Sequence, residues 1–334
     1  MDKDILIKTV ARLVAPPRGI LAIDESLETC NKRFTKLSVP TTEEKRREYR
    51  ELLVTAGDME KYISGYILFD ETIRQSTKDG KSFPGVLMAK GIEVGIKVDQ
   101  GLIDMPLHLG EKVTQGLEGL ADRLREYKVL GATFAKWRAV YYTGENIPSG
   151  DCMKENAIRL AKYATACQEL NMVPFVEPEV LIDGDHTIEK CFEVTAQNLD
   201  VLFAELKNAN IFIPGMILKT SMVIAGKDSK VQSSVSDVAK MTVKCLTEHV
   251  PKDIGGIVFL SGGQGDKEAA ENLNEMHKLG ALPWPLTFSY GRAIQNPALV
   301  SWAENPNDMK KAQELLLIAA KNNSEASIGK YVGK

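Results

Sequence analysis

The sequence predicts an α/β fold, a single (β/α)8 barrel, and three observations carry that expectation. Short apolar, β-rich runs alternate with longer amphipathic segments from end to end. Eight such runs can be counted, and several are almost continuously apolar, as strands covered on both faces should be. No linker rich in Pro, Gly or Ser divides the 334 residues, and α/β barrels often run to this length as one unit. Eight alternating units without a boundary favour a closed barrel over a doubly wound sheet. Residues 1–334 are therefore expected to form one TIM-barrel domain.

The expected strands are 19–24, 63–69, 85–88, 132–140, 173–181, 216–222, 256–261 and 286–291. The segments between them have helical periodicity. Thr41 is a candidate cap, with Glu44 three residues on at capping-box spacing. Val113, Leu117, Leu120, Leu124 and Tyr127 make one apolar stripe, and Phe192, Ala196, Leu199, Leu202 and Leu206 make another. Val238, Met241, Cys245 and His249 repeat the pattern, and Asp266 is placed to cap a helix carrying Ala270, Leu273 and Met276. Asn305-Pro306 has the look of an N-cap followed by proline at the first helical position, ahead of Met309, Ala312, Leu315 and Ala319. An extra amphipathic helix with Ile5, Val10, Leu13 and Val14 precedes the first strand. The small, polar residues from about 323 to 334 are expected to form a short mobile tail.

Composition excludes several classes of function. Hydrophobic residues make up 44%, enough for a sizeable core, and the formal net charge is −3. No run of like charges marks a nucleic-acid or membrane partner. The mixed signs between Glu43 and Arg50 suggest a solvated helix face. The five cysteines, Cys30, Cys152, Cys167, Cys191 and Cys245, are odd in number and form no CxxC pair. That suits reduced thiols, not a disulfide frame or a zinc ribbon. The N-terminus has no signal-peptide core, and no apolar stretch approaches the roughly 18 residues of a membrane span. A cytoplasmic protein is expected.

Charged residues fall where the apolar runs end. Asp24 closes the first run. Lys136 and Arg138 lie in the fourth, Glu177 and Glu179 in the fifth, and Lys219 closes Gly215-Met216-Ile217-Leu218-Lys219. Ser261 closes the seventh, and Arg292 follows the eighth. Residues two apart on a strand share a face, so Lys136 points with Arg138 and Glu177 with Glu179. In a barrel all C-terminal strand ends open onto one mouth, which is where active sites lie. Any one of these charges alone would be unremarkable on a surface. Gathered at one mouth they must be paired or used, because an unpaired buried charge is costly.

A lysine must be neutral to attack a carbonyl, and its ordinary pKa of about 10.4 works against that at neutral pH. Apolar neighbours and nearby cations lower it. Lys219 follows Ile217 and Leu218 and would share the mouth with Lys136, Arg138 and Arg292, so it is the first choice for a Schiff-base nucleophile. Lys136 is the second. Imine chemistry also needs acid/base groups, and Glu177 and Asp24 are the available carboxylates, with Glu179 in support.

Two glycine-bearing turns suggest phosphate. Ser261-Gly262-Gly263-Gln264-Gly265-Asp266 follows the seventh run, and Ser289-Tyr290-Gly291-Arg292 the eighth. Glycine turns at helix N-termini bind phosphate, and barrels often do so at these two loops. The four histidines, His108, His186, His249 and His277, have no HxxH or HExxH spacing, so no metal is expected. No GxGxxG follows the first run, so no dinucleotide cofactor is expected either.

Seven stretches, in this order, make the chain resemble the class I fructose-bisphosphate aldolases over nearly its whole length. They are Gly19-Ile20-Leu21-Ala22-Ile23-Asp24-Glu25-Ser26, Gly95-Ile96-Lys97-Val98-Asp99, Phe134-Ala135-Lys136-Trp137-Arg138, Val176-Glu177-Pro178-Glu179, Leu218-Lys219, Phe259-Leu260-Ser261-Gly262-Gly263-Gln264 and Phe288-Ser289-Tyr290-Gly291-Arg292. The resemblance implies reversible cleavage of fructose 1,6-bisphosphate to dihydroxyacetone phosphate and glyceraldehyde 3-phosphate, in glycolysis and gluconeogenesis, without a cofactor. It implies that Lys219 forms the Schiff base and that Glu177 is the acid/base of carbinolamine chemistry. Asp24 would take the hydroxyl proton, Lys136 would assist, and Glu179 would orient Lys219 and Lys136. Ser261, Gly262 and Arg292 would hold the phosphate on the ketone side, with Lys97, Arg138 and Arg33 toward the other. Lys97 and Arg33 come from the resemblance alone. It also implies a homotetramer.

The chain departs from the family's usual first turn, Asp-Glu-Ser-Thr-Gly, with Leu27 and Glu28 in place of Thr-Gly, which adds a negative charge near a phosphate site. Family tails often end in a tyrosine that aids proton exchange, and here the tail carries Tyr331. Two rival functions share the barrel: an aldolase for another phosphorylated ketose, such as sedoheptulose 1,7-bisphosphate, and an inactive barrel serving as a scaffold.

Overall fold

The computed structural model describes residues 1–333. Its strands are β1 (Gly19–Ala22), β2 (Ile63–Leu68), β3 (Glu93–Lys97), β4 (Leu102–Asp104), β5 (Lys112–Thr114), β6 (Ala132–Tyr141), β7 (Val173–Val180), β8 (Ile217–Thr220), β9 (Gly256–Phe259) and β10 (Leu286–Tyr290). Eight of them close a parallel barrel in the order β1-β10-β9-β8-β7-β6-β3-β2, while β4 and β5 pair antiparallel as a separate hairpin. The helices are α1 (Lys3–Leu13), α2 (Leu27–Lys36), α3 (Glu43–Thr55), α4 (Asp70–Ile73), α5 (Phe83–Ala89), α6 (Leu120–Val129), α7 (Gly150–Glu169), α8 (Ile188–Asn208), α9 (Val235–His249), α10 (Asp266–Lys278), α11 (Arg292–Glu304) and α12 (Met309–Ala326).

The core has two parts. The larger lies between strands and helices, and the smaller fills the barrel with Ile20, Ile67, Phe134, Phe175, Ile217 and Val258. Helix α1 closes the N-terminal mouth. Asp2 caps it by accepting from the N–H groups of Asp4 and Ile5, and Leu6, Val10 and Leu13 enter the small core at helical spacing. Each such side chain contributes about 1.5–3 kcal/mol on burial. With the bottom plugged and the interior packed, only the C-terminal mouth is left to carry a site.

Seven of the eight expected strands sit in the barrel, and the third does not. Residues 85–88 belong to α5, capped by Ser82, whose Oγ accepts from Gly85 N at 3.1 Å, with Pro84 in the first turn. A short apolar run does not distinguish a buried strand from a buried helix. The true third barrel strand, β3, is interrupted by glycine and charges. Gly95 is required there, because a Cβ would come within 2.2 Å of the Phe134 ring.

Five smaller expectations also change. Val113 lies in β5, and the helix of its expected stripe begins only at Leu120. Asn305 ends α11 instead of starting a helix, and α12 is capped by Asp308. Thr42, not Thr41, caps α3, and Gly265, not Asp266, precedes α10. The polar tail expected from 323 is docked for much of its length: α12 runs to Ala326, Ser327 Oγ donates to Pro17 O at 3.0 Å, and Tyr331 is buried. Small residues pack closely without looking hydrophobic in sequence. Lys334 lies outside the described residues. No described helix is long and apolar enough to cross a membrane.

Candidate active site

Along four of the barrel strands the inward positions pass from apolar or glycine at the bottom to charged at the top. Phe134 is followed by Lys136 and Arg138, Phe175 by Glu177 and Glu179, Ile217 by Lys219, and Gly95 by Lys97. The charged side chains among these line one cup of about 1020 Å³, together with Asp24, Arg33, Ser261, Gly262 and Arg292. All eleven residues singled out in sequence therefore meet at one mouth.

At its centre four charges alternate. Lys219 Nζ lies 3.1 Å from Glu177 Oε1. Lys136 Nζ lies 3.1 Å from Glu177 Oε2 and donates a hydrogen bond to Asp24 Oδ2 at 2.8 Å. Lys219 is 4%, Glu177 2% and Lys136 5% exposed, so water screens these contacts weakly. Burial alone would raise the Asp24 carboxyl, but Lys136 and Lys219 outweigh it and hold the pKa at about 2. Glu177 is likewise raised by burial and brought below its ordinary value by Lys136, Lys219 and Arg138. Burial would discharge Lys136, yet Asp24 and Glu177 raise its pKa instead. Lys136 is thus a fixed cation between two fixed anions. Glu177 Oε2 is buried and is held by its ion pair with Lys136 at 3.1 Å.

A second ring of pairs surrounds this centre. Arg138 pairs with Glu179, and Lys97 Nζ with Asp99 at 2.6 Å. The resemblance gives Glu179 the task of orienting Lys219 and Lys136. In the structure Glu179 reaches Arg138, and Glu177 is the carboxylate that contacts both lysines. Arg33, from α2, pairs with Glu25.

Across the barrel from β3 and β6, which carry Lys97 and Arg138, the loops after β9 and β10 enter helices α10 and α11. Gly262 and Gly263 have φ of 58° and 99°, a backbone region that suits glycine. Ser261 and Gly262 line the cup, and Arg292 stands exposed at the start of α11. Two helix N-termini with an arginine between them favour an anion. In the first turn Ser26 caps α2, accepting from Thr29 N at 3.3 Å. Leu27 and Glu28 sit at the rim, and Glu28 is paired with Lys32 at 2.6 Å one turn on. Tyr331 does not line the cup; its backbone N–H donates to Asn274 on α10.

Several functional neighbours escaped the sequence. Asp99 is two residues beyond Lys97 and so shares its face, a signal that was available. Ser289, by contrast, belongs to the second glycine-bearing turn marked in sequence, and it lines the cup. Gln295 was hidden: it lies one helical turn after Arg292, fully buried, and accepts from Arg33 Nη1 at 2.9 Å. Among the described residues no group of three or more His, Cys, Asp or Glu could hold a metal ion.

The family profile described as "Glycolytic: Fructose-bisphosphate aldolase class-I" matches residues 5–334. A probable fructose-bisphosphate aldolase class 1 of Xanthomonas campestris pv. campestris is 53% identical, covering 100% of both chains. A cytosolic fructose-bisphosphate aldolase of Arabidopsis thaliana is 48% identical over 99% of this chain and 92% of its own. The fold matches the Plasmodium falciparum fructose-bisphosphate aldolase, solved with TRAP and a small molecule inhibitor, at a TM-score of 0.98 and 44% identity, covering 99% of this chain and 96% of that one. With its barrel, its charged mouth and these likenesses, the chain belongs to the class I fructose-bisphosphate aldolase family.

Proposed function

We propose that this aldolase cleaves fructose 1,6-bisphosphate through an imine on Lys219, with Glu177 and Asp24 as its two proton carriers. The observation that carries this is the buried Lys219–Glu177 pair at the barrel mouth, 3.1 Å apart. Glu177 takes a proton from Lys219, the neutral amine attacks the C2 ketone carbon, and one of its N–H protons passes to the new alkoxide to give the carbinolamine. Glu177 then returns that proton to the carbinolamine hydroxyl, which leaves as water while the protonated imine forms. Asp24 takes the proton of the C4 hydroxyl. The C3–C4 bond breaks, its electrons pass to the imine as an enamine, and glyceraldehyde 3-phosphate departs. The enamine takes a proton at C3, and hydrolysis releases dihydroxyacetone phosphate from Lys219.

Lys136 holds Asp24 ionised and stabilises negative charge as it develops near the carbinolamine. Glu179 fixes Arg138. Ser261, Gly262 and Arg292 take the phosphate on the ketone side, and Lys97, Arg138 and Arg33 the phosphate on the other. The chain acts as one catalytic domain in the cytoplasm, supported by the single closed barrel and by the cytosolic Arabidopsis relatives. It assembles as a homotetramer, as the family resemblance implies.

Turnover of the purified protein tests the substrate. Equimolar triose phosphates from fructose 1,6-bisphosphate, unchanged by EDTA and lost in Lys219→Met, are expected. Faster turnover of sedoheptulose 1,7-bisphosphate would shift the assignment to that sugar.

A further inference from the structure

Arg50 is a buried guanidinium that the chemistry above does not use. It lies on α3, its side chain is 3% exposed, and it does not line the cup. Its Nη2 is 3.0 Å from Glu25 Oε2. The other oxygen of the same carboxylate takes Arg33, which does line the cup. Among the described residues Glu25 is the sole carboxylate ion-paired with either arginine, so one negative charge serves two positive ones.

The remaining contacts hold these cations without cancelling them. The Tyr49 ring lies 6.0 Å from Arg33 and 5.5 Å from Arg50, and its hydroxyl donates to Gln295 Oε1 at 2.8 Å. Gln295 and Asn296 accept from Arg33 at 2.9 and 3.1 Å, and both are neutral. Arg50 Nη1 is buried without a hydrogen-bond partner among the described residues. The other buried cations of the cup each have a carboxylate: Lys97 has Asp99, Arg138 has Glu179, and Lys136 and Lys219 have Asp24 and Glu177. Asp24, next to Glu25 in the chain, is already committed to Lys136. A buried surplus of positive charge is unfavourable for the resting fold and favourable once an anion arrives.

We propose that Arg50 is a positioning residue that acts through Glu25: by sharing that carboxylate, it leaves Arg33 with net positive charge for a phosphate group of the substrate. Without Arg50, Glu25 would belong to Arg33 alone and neutralise it. This rests on the assignment of Arg33 to phosphate made above.

The test compares Arg50→Met, Arg50→Lys and the double variant Glu25→Gln/Arg50→Met. For each, KM and kcat are measured with fructose 1,6-bisphosphate, together with the thermal midpoint with and without inorganic phosphate. Arg50→Met is expected to raise KM about tenfold with kcat within about twofold, and to shrink the shift that phosphate induces. Arg50→Lys keeps the charge and should keep KM. The double variant removes one charge of each sign, frees Arg33, and should bring KM back toward the wild-type value, which a merely structural role would not do. An unchanged KM in Arg50→Met, or a KM in Arg50→Lys and the double variant raised as much as in Arg50→Met, would overturn the proposal. Arg33→Met separates the two levels. If it raises KM while Arg50→Met does not, only the role of Arg50 fails; if it leaves KM unchanged, the phosphate assignment fails and takes the role of Arg50 with it.

Discussion

Lys219 and Glu177 face each other at the top of neighbouring strands β8 and β7, 3.1 Å apart and both shut off from solvent. The same carboxylate also lies 3.1 Å from Lys136, so one buried anion separates two ammonium groups. Its loss would be felt in chemistry and in stability together.

Glu177→Gln keeps the shape of the side chain and removes its charge and its proton. Turnover should fall by about 10²–10⁴, the usual worth of a positioned acid/base group. The thermal midpoint should fall too, because two buried lysines would face each other across a neutral amide. Steady-state kinetics and a melting curve on one preparation check both.

Asp24 carries a pH signature. Its pKa is lowered from 3.8 to about 2 against burial, chiefly by Lys136 and Lys219. A lowered carboxyl pKa stabilises the fold above the unfolded value, and that contribution is lost as pH falls through the folded value. From these pKa values Asp24 contributes about 2 kcal/mol near neutral pH. The stability difference between wild type and Asp24→Asn should therefore shrink as pH is lowered from about 4 toward 2. Urea titrations across that window measure it.

Arg292 is exposed, so its removal should cost binding and not folding. Arg292→Ala should raise KM for the bisphosphate by about ten- to a hundredfold, the range expected for lost hydrogen bonds to a charged group. Its melting temperature should stay within a degree or so, since surface substitutions usually change stability by less than about 0.5 kcal/mol. KM and melting temperature together decide between a binding and a structural role.

Gly95 tests the barrel beneath the site. An added Cβ would meet the Phe134 ring at 2.2 Å. Gly95→Ala should destabilise the fold by about 1–3 kcal/mol through overpacking. Because Lys97 is two residues further along the same face, KM should rise as well. Urea unfolding and KM measure the two effects.

What was legible in sequence was what periodicity encodes. Apolar runs ending in charge place Asp24, Lys136, Arg138, Glu177, Glu179 and Lys219 at one mouth. Helix α1 was legible for the same reason. The strand β3 was not, because its glycine is demanded by Phe134 on the neighbouring strand, a tertiary fact with no local trace. Mixed charges between Glu43 and Arg50 suggested a solvated face, yet Arg46 and Arg50 are 9% and 2% exposed. Their partners, Glu71 and Glu25, lie some twenty or more residues away in sequence. Pairing at a distance hides a buried charge from any local pattern. The contact of Glu177 with both lysines likewise depends on which of two same-facing carboxylates sits deeper in the barrel.

Borohydride trapping is the most direct measurement of the central claim. The protein is incubated with fructose 1,6-bisphosphate and EDTA, reduced with borohydride, digested, and mapped by peptide mass spectrometry. A stable adduct on Lys219, absent without substrate, is the expected result. An adduct on Lys136 instead, or none on any lysine of folded and active protein, would contradict an imine at Lys219.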